Sequence, residues 1–410
     1  MSFLLELNDW QLGCFDSKAN CIYQQAAAAA VDGNRLLFGD AALAQSRTTP
    51  QSFNAQYLSR LDTEPLPQPI GAAQNNADLL YHQLQELRQA HDVTEVAVAT
   101  PAHYSDEQLG LLLGIASEAG ITIKGFIDSA LAHATQSNSR YQLFDISLNQ
   151  AHLTDIEARD GELRVIGSTV LERLGIINII DAWLQVIANS FMQTSRFDPL
   201  HSAESEQQVF DQALGLINRS LPNDLNISVT QDGTNRRADL SATQLSEAIR
   251  QRLPASDLKD VGPLVLTPRA SSISGLRSLL EDITENVSTS SGEVAMLLQL
   301  QQQQDTSEPT RITEYRGAPD TPRSTSDHRA DTTNEDSRTQ NYPPATHLLA
   351  DHQAIPLTAA SLQNYFDEDG LLRPGADVKI NGNAPTRAKL RCADEVQLLE
   401  QTWIAIRIAD

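Results

Sequence analysis

Cysteine is scarce. Cys14, Cys21 and Cys392 lie far apart with no Cys-x-x-Cys pair among them, which excludes a disulfide framework and a zinc ribbon and fits a reducing compartment. Basic residues are also short, 30 Lys and Arg against 53 Asp and Glu, for a net charge of −23. A chain of that sign repels phosphate, so non-specific nucleic-acid binding and attachment to anionic membranes are excluded. No run approaches the roughly 18 apolar residues that a membrane span needs. Met1–Glu6 has neither a basic region nor a long apolar core, so no membrane insertion and a cytoplasmic location are expected. The 9 histidines contain no His-x-x-x-His pair, so each is expected at the surface or satisfied in the core rather than on a metal. No Ser, His and Asp grouping stands in a nucleophile-elbow context.

The stretch Val93 to Ala134 is where the local signals agree best. Val93–Ala99 reads as a buried strand, ended by Thr100-Pro101 because proline gives a ladder no donor. Ser105 and Gln108 frame a capping box, and Leu109, Leu112, Leu113 and Ala116 recur at helical spacing to Glu118. Gly120 closes that helix. A second strand, Ile121–Ile127, and a short helix from Ser129, with Asp128 as its N-cap, complete the unit. Before it, Phe3–Leu7 and Gly13–Phe15 read as a hairpin, Ala26–Ala30 as a packed small-residue segment, Asp62–Asn76 as a Pro- and Gln-rich loop, and Ala77–Ala90 as an amphipathic helix. After it come a strand at Tyr141–Asp145, a hairpin turning at Arg159-Asp160-Gly161, an apolar helix over Ile177–Gln193 and a further helix over Ala203–Leu221. A hairpin with its turn at Asp232-Gly233 and a capping box at Ser241 and Gln244 follow. From Gln301 to Ala345 large aliphatics nearly vanish, which predicts a disordered linker. Beyond it, alternation at Val378 and Ile380, the Asn381-Gly382 turn, a strand at Ala388–Cys392 and a Thr402, Ile404, Ile406, Ile408 face opposite Trp403 predict a small β-rich module.

The run Val96 to Asp106, with Ala99-Thr100-Pro101-Ala102-His103-Tyr104-Ser105-Asp106 at its centre, then Ile115 to Ile121 and Ala130-Leu131-Ala132-His133, resembles the first-lobe connecting segment of the heat shock seventy-kilodalton (DnaK-type) chaperones. These belong to the actin-like ATPase superfamily. The resemblance extends over about residues 1–300. It implies an α/β fold of two lobes, actin-like or ribonuclease H-like, with a first lobe over 1–139 and a second over 140–300, then the linker over 301–345 and the β-rich domain over 346–410.

In that family two glycine-rich loops hold ATP phosphates, because backbone donors reach phosphate oxygens only where no Cβ intervenes. Here the first loop reads Glu6-Leu7-Asn8-Asp9-Trp10 and the second Asp145-Ile146-Ser147-Leu148-Asn149-Gln150. The acids remain and the glycines are gone. Leu148 is expected to incur a steric penalty at positive φ and to hang an apolar chain where phosphate would sit. The family lysine appears as Ser59, beside Arg60, and the metal-water glutamate is absent, with Asp128 nearest to it. Gly175 is kept from a third motif, while Thr267 and Pro268 replace the glycines of the adenosine loop that contains Arg269. If ATP or ADP with Mg²⁺ is bound, the resemblance implies contacts from Glu6, Asn8, Asp145, Ser147, Asn149, Gly175, Thr267 and Arg269, with Glu6 and Asp145 holding the hydrated metal.

Phosphoryl transfer rests on positioning and electrostatics, so the expected function is a pseudo-ATPase with no nucleotide cofactor, a chaperone-like scaffold for a protein partner. Two alternatives stand beside it: an active divergent ATP-binding chaperone, and an actin-like assembly platform of an envelope machine.

Overall fold

The computed structural model describes residues 3–133, 140–159, 162–254, 258, 262–284, 286–290, 309, 311–316, 345–350, 353–359, 362–367, 371–373, 378–380, 390, 395–398 and 401–406. Most of the segment 301–345, residues 160–161 of one hairpin turn, the expected Asn381-Gly382 turn, Ile408 and all but Leu390 of the strand expected at 388–392 lie outside them. The chain forms two compact units, Met1–Thr321 and Pro322–Asp410.

The first unit is mixed α/β. One sheet contains β1 (Phe3–Glu6), β2 (Leu12–Phe15), β3 (Cys21–Gln25), β4 (Glu95–Thr100) and β5 (Thr122–Asp128). The other contains β6 (Arg140–Ile146), β7 (Ala151–Arg159), β8 (Glu162–Leu171), β9 (Leu264–Leu266) and β10 (Val287–Thr289). Both have the same order. An antiparallel meander places its first strand inward, and two later strands add in parallel beside it, giving β3-β2-β1-β4-β5 and β8-β7-β6-β9-β10. Parallel neighbours need a crossover. Between β4 and β5 it is α2 (Asp106–Glu118), started by the Ser105–Gln108 box and followed by Gly120 at φ +76°. The helix α1 (Asn76–His91) precedes β4, with the Asn75 side chain accepting from Asp78 N–H at 2.8 Å.

Strand β4 explains its own alternation of Val and Ala. Val96 and Val98 join the core under α1 and α2, while Ala97 and Ala99 join a cluster that takes Leu4 and Ile127 from one sheet and Tyr141, Leu143, Ile156 and Val265 from the other. The small face lets the sheets approach. The alanine run works the same way: Ala26, Ala28 and Ala30 enter one core and Ala27 and Ala29 another, so both faces of the run are packed. The Pro- and Gln-rich segment departs from its expected loop and folds as a hairpin, Pro65–Ile70 with Ala73–Asn75, turning at Gly71 with φ +60°. Its pairing is irregular, as prolines without N–H donors require. In the second half α3 (Ile176–Ser195) buries Ile179, Ile180, Trp183, Ile187 and Phe191, and Trp183 Nε1–H donates to the Leu245 carbonyl at 3.0 Å.

Part of the expected linker is ordered. Arg311–Ile312 (β11) pairs with β5, and Glu314–Arg316 (β12) pairs with β8. The composition argument fails here because these residues borrow strand partners from both sheets and need bury little surface of their own. The second unit holds a five-stranded antiparallel sheet, ordered Gln353–Pro356, His347–Ala350, Gln401–Ile406, Glu395–Leu398, Lys379–Ile380. Leu348, Phe366, Val396, Trp403 and Ala405 form its core. Among the described residues no helix is long and apolar enough to cross a membrane.

Candidate functional site

Glu6 is the last residue of β1, Asp145 stands one residue before the end of β6, and Thr267 follows β9. These are carboxyl ends of strands, where open α/β sheets place their ligands. Thr267 Oγ1 caps a single helical turn, Pro268–Ser271, accepting from Ala270 N–H at 3.2 Å, and that turn aims Arg269 back between the two acids. Arg269 Nη2 donates to Glu6 Oε1, and its Nε donates to Asp145 Oδ1 at 2.8 Å. Thr267 Oγ1 donates to the same Oδ1 at 2.6 Å. Asn8 Nδ2 donates to Asp145 Oδ2 at 3.4 Å and to the Ile146 carbonyl at 3.0 Å. The side chains of Arg269, Glu6 and Asp145 are only 8%, 10% and 17% exposed. Burial alone pulls the Arg269 pKa down, but attraction by Asp145 and Glu6 outweighs it and carries the pKa above its ordinary value, so the guanidinium stays charged.

Ser147, Asn149 and Gly175 meet in the adjoining loop. Ser147 N–H and Oγ–H both donate to the Gln150 carbonyl at 2.8 Å. Leu148 N–H donates to Asp9 Oδ1, while Asn149 Nδ2 donates to Asp9 Oδ2 at 3.1 Å and to the Ala55 carbonyl. Asp9, from the first loop, therefore holds the second; burial raises its carboxyl to about 6 despite those donors. The first N–H groups of α3, a natural anion site, are already spent: Ile176 donates to the Ser147 carbonyl at 3.1 Å and Ile177 to the Leu148 carbonyl at 2.9 Å.

Gly175 is fixed by contact. A Cβ there would lie 2.2 Å from the Asn149 carbonyl carbon, so Gly175→Ala is expected to cost about 1–3 kcal/mol by forcing backbone apart. Urea denaturation checks this, and a cost below half a kilocalorie would mean the loop yields freely.

Leu148 corrects an expectation. Among the described residues positive φ outside glycine occurs at Ala19, Asp92, Arg196 and Asp232, not in this loop. Leu148 is 0% exposed and packs with Phe144, Ile146, Ala151 and Leu174. Without glycine the loop takes an ordinary path, and its apolar side chain turns inward to the core instead of toward the cleft. Asp128 does cap its short helix, Oδ1 accepting from Ala130 N–H at 3.0 Å, but Oδ2 also accepts from Arg311 Nη2 at 3.4 Å, and burial raises the carboxyl to about 6.

Beside the loops lies a cavity of about 20 Å³ whose lining includes Asn8, Asp9, Ser59, Ser147, His103 and His152, room for about one water. His103, after β4, stacks on His152, in β7, with ring centroids 4.3 Å apart and planes at 8°. Both His103 nitrogens and His152 Nδ1 are buried with no protein group in hydrogen-bonding position. Their meeting had one indirect signal: His152 sits opposite Asp145 in the β6–β7 register, a pairing the hairpin length sets. A second, larger cavity of about 520 Å³ opens between Asn218–Leu221 and Ser271–Gly275, with Arg219 and Ser246 on its wall. Compared with models of known protein families, the chain matches none.

Proposed function

We propose that the first unit is a two-lobed actin-like body of the heat shock seventy-kilodalton type that has become a pseudo-ATPase, a chaperone-like scaffold for a protein partner. The repeated strand order supports the two-lobed reading, as does the clustering of the candidate residues at strand ends. The observation that carries the loss of catalysis is Arg269. Its guanidinium stands between Glu6 and Asp145, so the pair that would hold a hydrated Mg²⁺ already has an internal cation, and this donor set does not fit a divalent ion. The phosphate side fits no better. The Leu148 N–H faces Asp9 rather than solvent, and a carboxylate at that point opposes a phosphate.

Isothermal titration of the full chain with ATP and with ADP in Mg²⁺ tests this. No heat is expected with either; micromolar binding abolished by Asp145→Ala would overturn it.

One observation favours the divergent ATP-binding alternative. The cavity of about 520 Å³ at Arg219 and Ser271–Gly275 is open and follows directly on the loop that the resemblance assigns to adenosine. Titration with adenosine separates the two readings, since base and ribose binding there requires none of the closed phosphate loops.

A further inference from the structure

Arg311–Arg316 runs from one sheet to the other. Arg311 and Ile312 pair in parallel with Phe126 and Ile127 on the outer edge of β5. Glu314, Tyr315 and Arg316 pair antiparallel with Arg164, Leu163 and Glu162 on the outer edge of β8. Between these, Val165 N–H donates to the Thr313 carbonyl at 3.1 Å. Strands this short do not hold alone, and the side chains supply the grip. Arg311 donates to the Tyr104 carbonyl at 2.9 Å, to the Pro101 carbonyl at 3.0 Å and to Asp128 Oδ2 at 3.4 Å. Ile312 packs on the cluster shared by both sheets. The Arg164–Glu314 ion pair, at 2.9 Å, is exposed and adds little. Pro101 and Tyr104 line the same cavity as His103, so Arg311 also fixes the loop that presents the imidazole stack.

We propose that the edges of β5 and β8 form a strand-accepting slot, that Arg311–Arg316 is its resident and releasable occupant, and that the slot takes an extended peptide of a partner protein with the same two anchors: an arginine followed by a β-branched aliphatic. Main-chain pairing gives such a peptide its affinity, and the arginine pocket of two carbonyls and one carboxylate gives it specificity. The slot covers five strand residues, split between two edges, which suits an occupant that exchanges. The scaffold reading supplies only the idea of a protein partner; nucleotide binding would sink that reading and leave the slot standing.

The test uses the full chain carrying Arg311→Ala and Ile312→Gly, and a fluorescein-labelled synthetic peptide of residues 309–318 read by anisotropy. Saturable binding to the weakened chain is expected, at least about tenfold tighter than to the intact chain, and about tenfold or more weaker when the peptide's own arginine is alanine, the loss expected for a charge-assisted contact. A folded weakened chain that ignores the peptide, or binds both peptides alike, overturns the proposal. If the weakened chain does not fold, hydrogen exchange on the unmodified protein decides. The Val165 amide is expected to exchange at least about tenfold faster than Leu153, in the sheet centre, by local release of the occupant; exchange of both only through global unfolding overturns it.

Discussion

Arg269→Met is expected to destabilise the first unit by about 3–5 kcal/mol, the cost of removing one partner from a buried ionic group. Glu6 and Asp145 would then face each other across the methionine, with Thr267 Oγ1, Asn8 Nδ2 and the Ile146 N–H still donating to Asp145. Lysine would not repair this, because Arg269 uses Nε toward one acid and Nη2 toward the other, a fork that an ammonium lacks. The ionic character as such contributes little. Glu6→Gln, Asp145→Asn and Arg269→Met combined should recover most of the loss, since replacing a whole buried ion group with neutral groups of similar volume is often near neutral. Urea midpoints for the single and triple variants check both statements. A mild single variant would mean that water enters the site and screens the acids, which would also reopen it to a metal. Titration of Arg269→Met with Mg²⁺ and ATP therefore belongs to the same series: if the guanidinium is what excludes the metal, its removal is the change most apt to restore binding.

The sequence made the local elements of this unit legible because their causes are local. The Ser105 and Ser241 capping boxes, the Gly120 stop and the Asp232-Gly233 turn depend on residues a few positions apart. The candidate residues at the strand ends were reachable through motif spacing, and Glu6, Asn8, Asp145, Thr267 and Arg269 do fall in one hydrogen-bond network. What spacing could not supply was the sense of their chemistry. Arg269 read as a contact for a nucleotide, yet it satisfies the two carboxylates itself, a pairing across 263 positions in sequence. Leu148 obstructs the cleft only on a glycine's backbone path; without a positive φ its side chain turns into the core. Arg311–Arg316 was hidden for a third reason. Low aliphatic content measures whether a segment can fold by itself, and this one is ordered by edges that β5 and β8 provide.

The imidazole stack should make the fold sensitive to acid in a way that a phenyl stack is not. Burial pushes His103 down to about 3 and His152 to about 4, from an ordinary 6.5. His103 faces His152 and Arg311; His152 faces Asp145, which favours its charge, and Arg269, which opposes it. From pH 6.5 down toward 4 the unfolded chain binds more protons than the folded one at both sites, so their contribution to stability is complete above 6.5 and is lost as pH falls. Asp9 and Asp128 run the other way. Burial raises each to about 6, so the folded chain takes up their protons first and gains relative stability over the same window. The overall curve is flattened by this opposition, and the imidazole share must be read as a difference. His103→Phe with His152→Phe keeps two stacked rings and removes the titration. It should be close to the unmodified chain at pH 7 and more stable by on the order of 5 kcal/mol at pH 4.5. Urea unfolding of both proteins at the two pH values measures it. An identical difference at both would mean that the rings reach solvent and protonate without parting, and that the contact between the sheets does not depend on their neutrality.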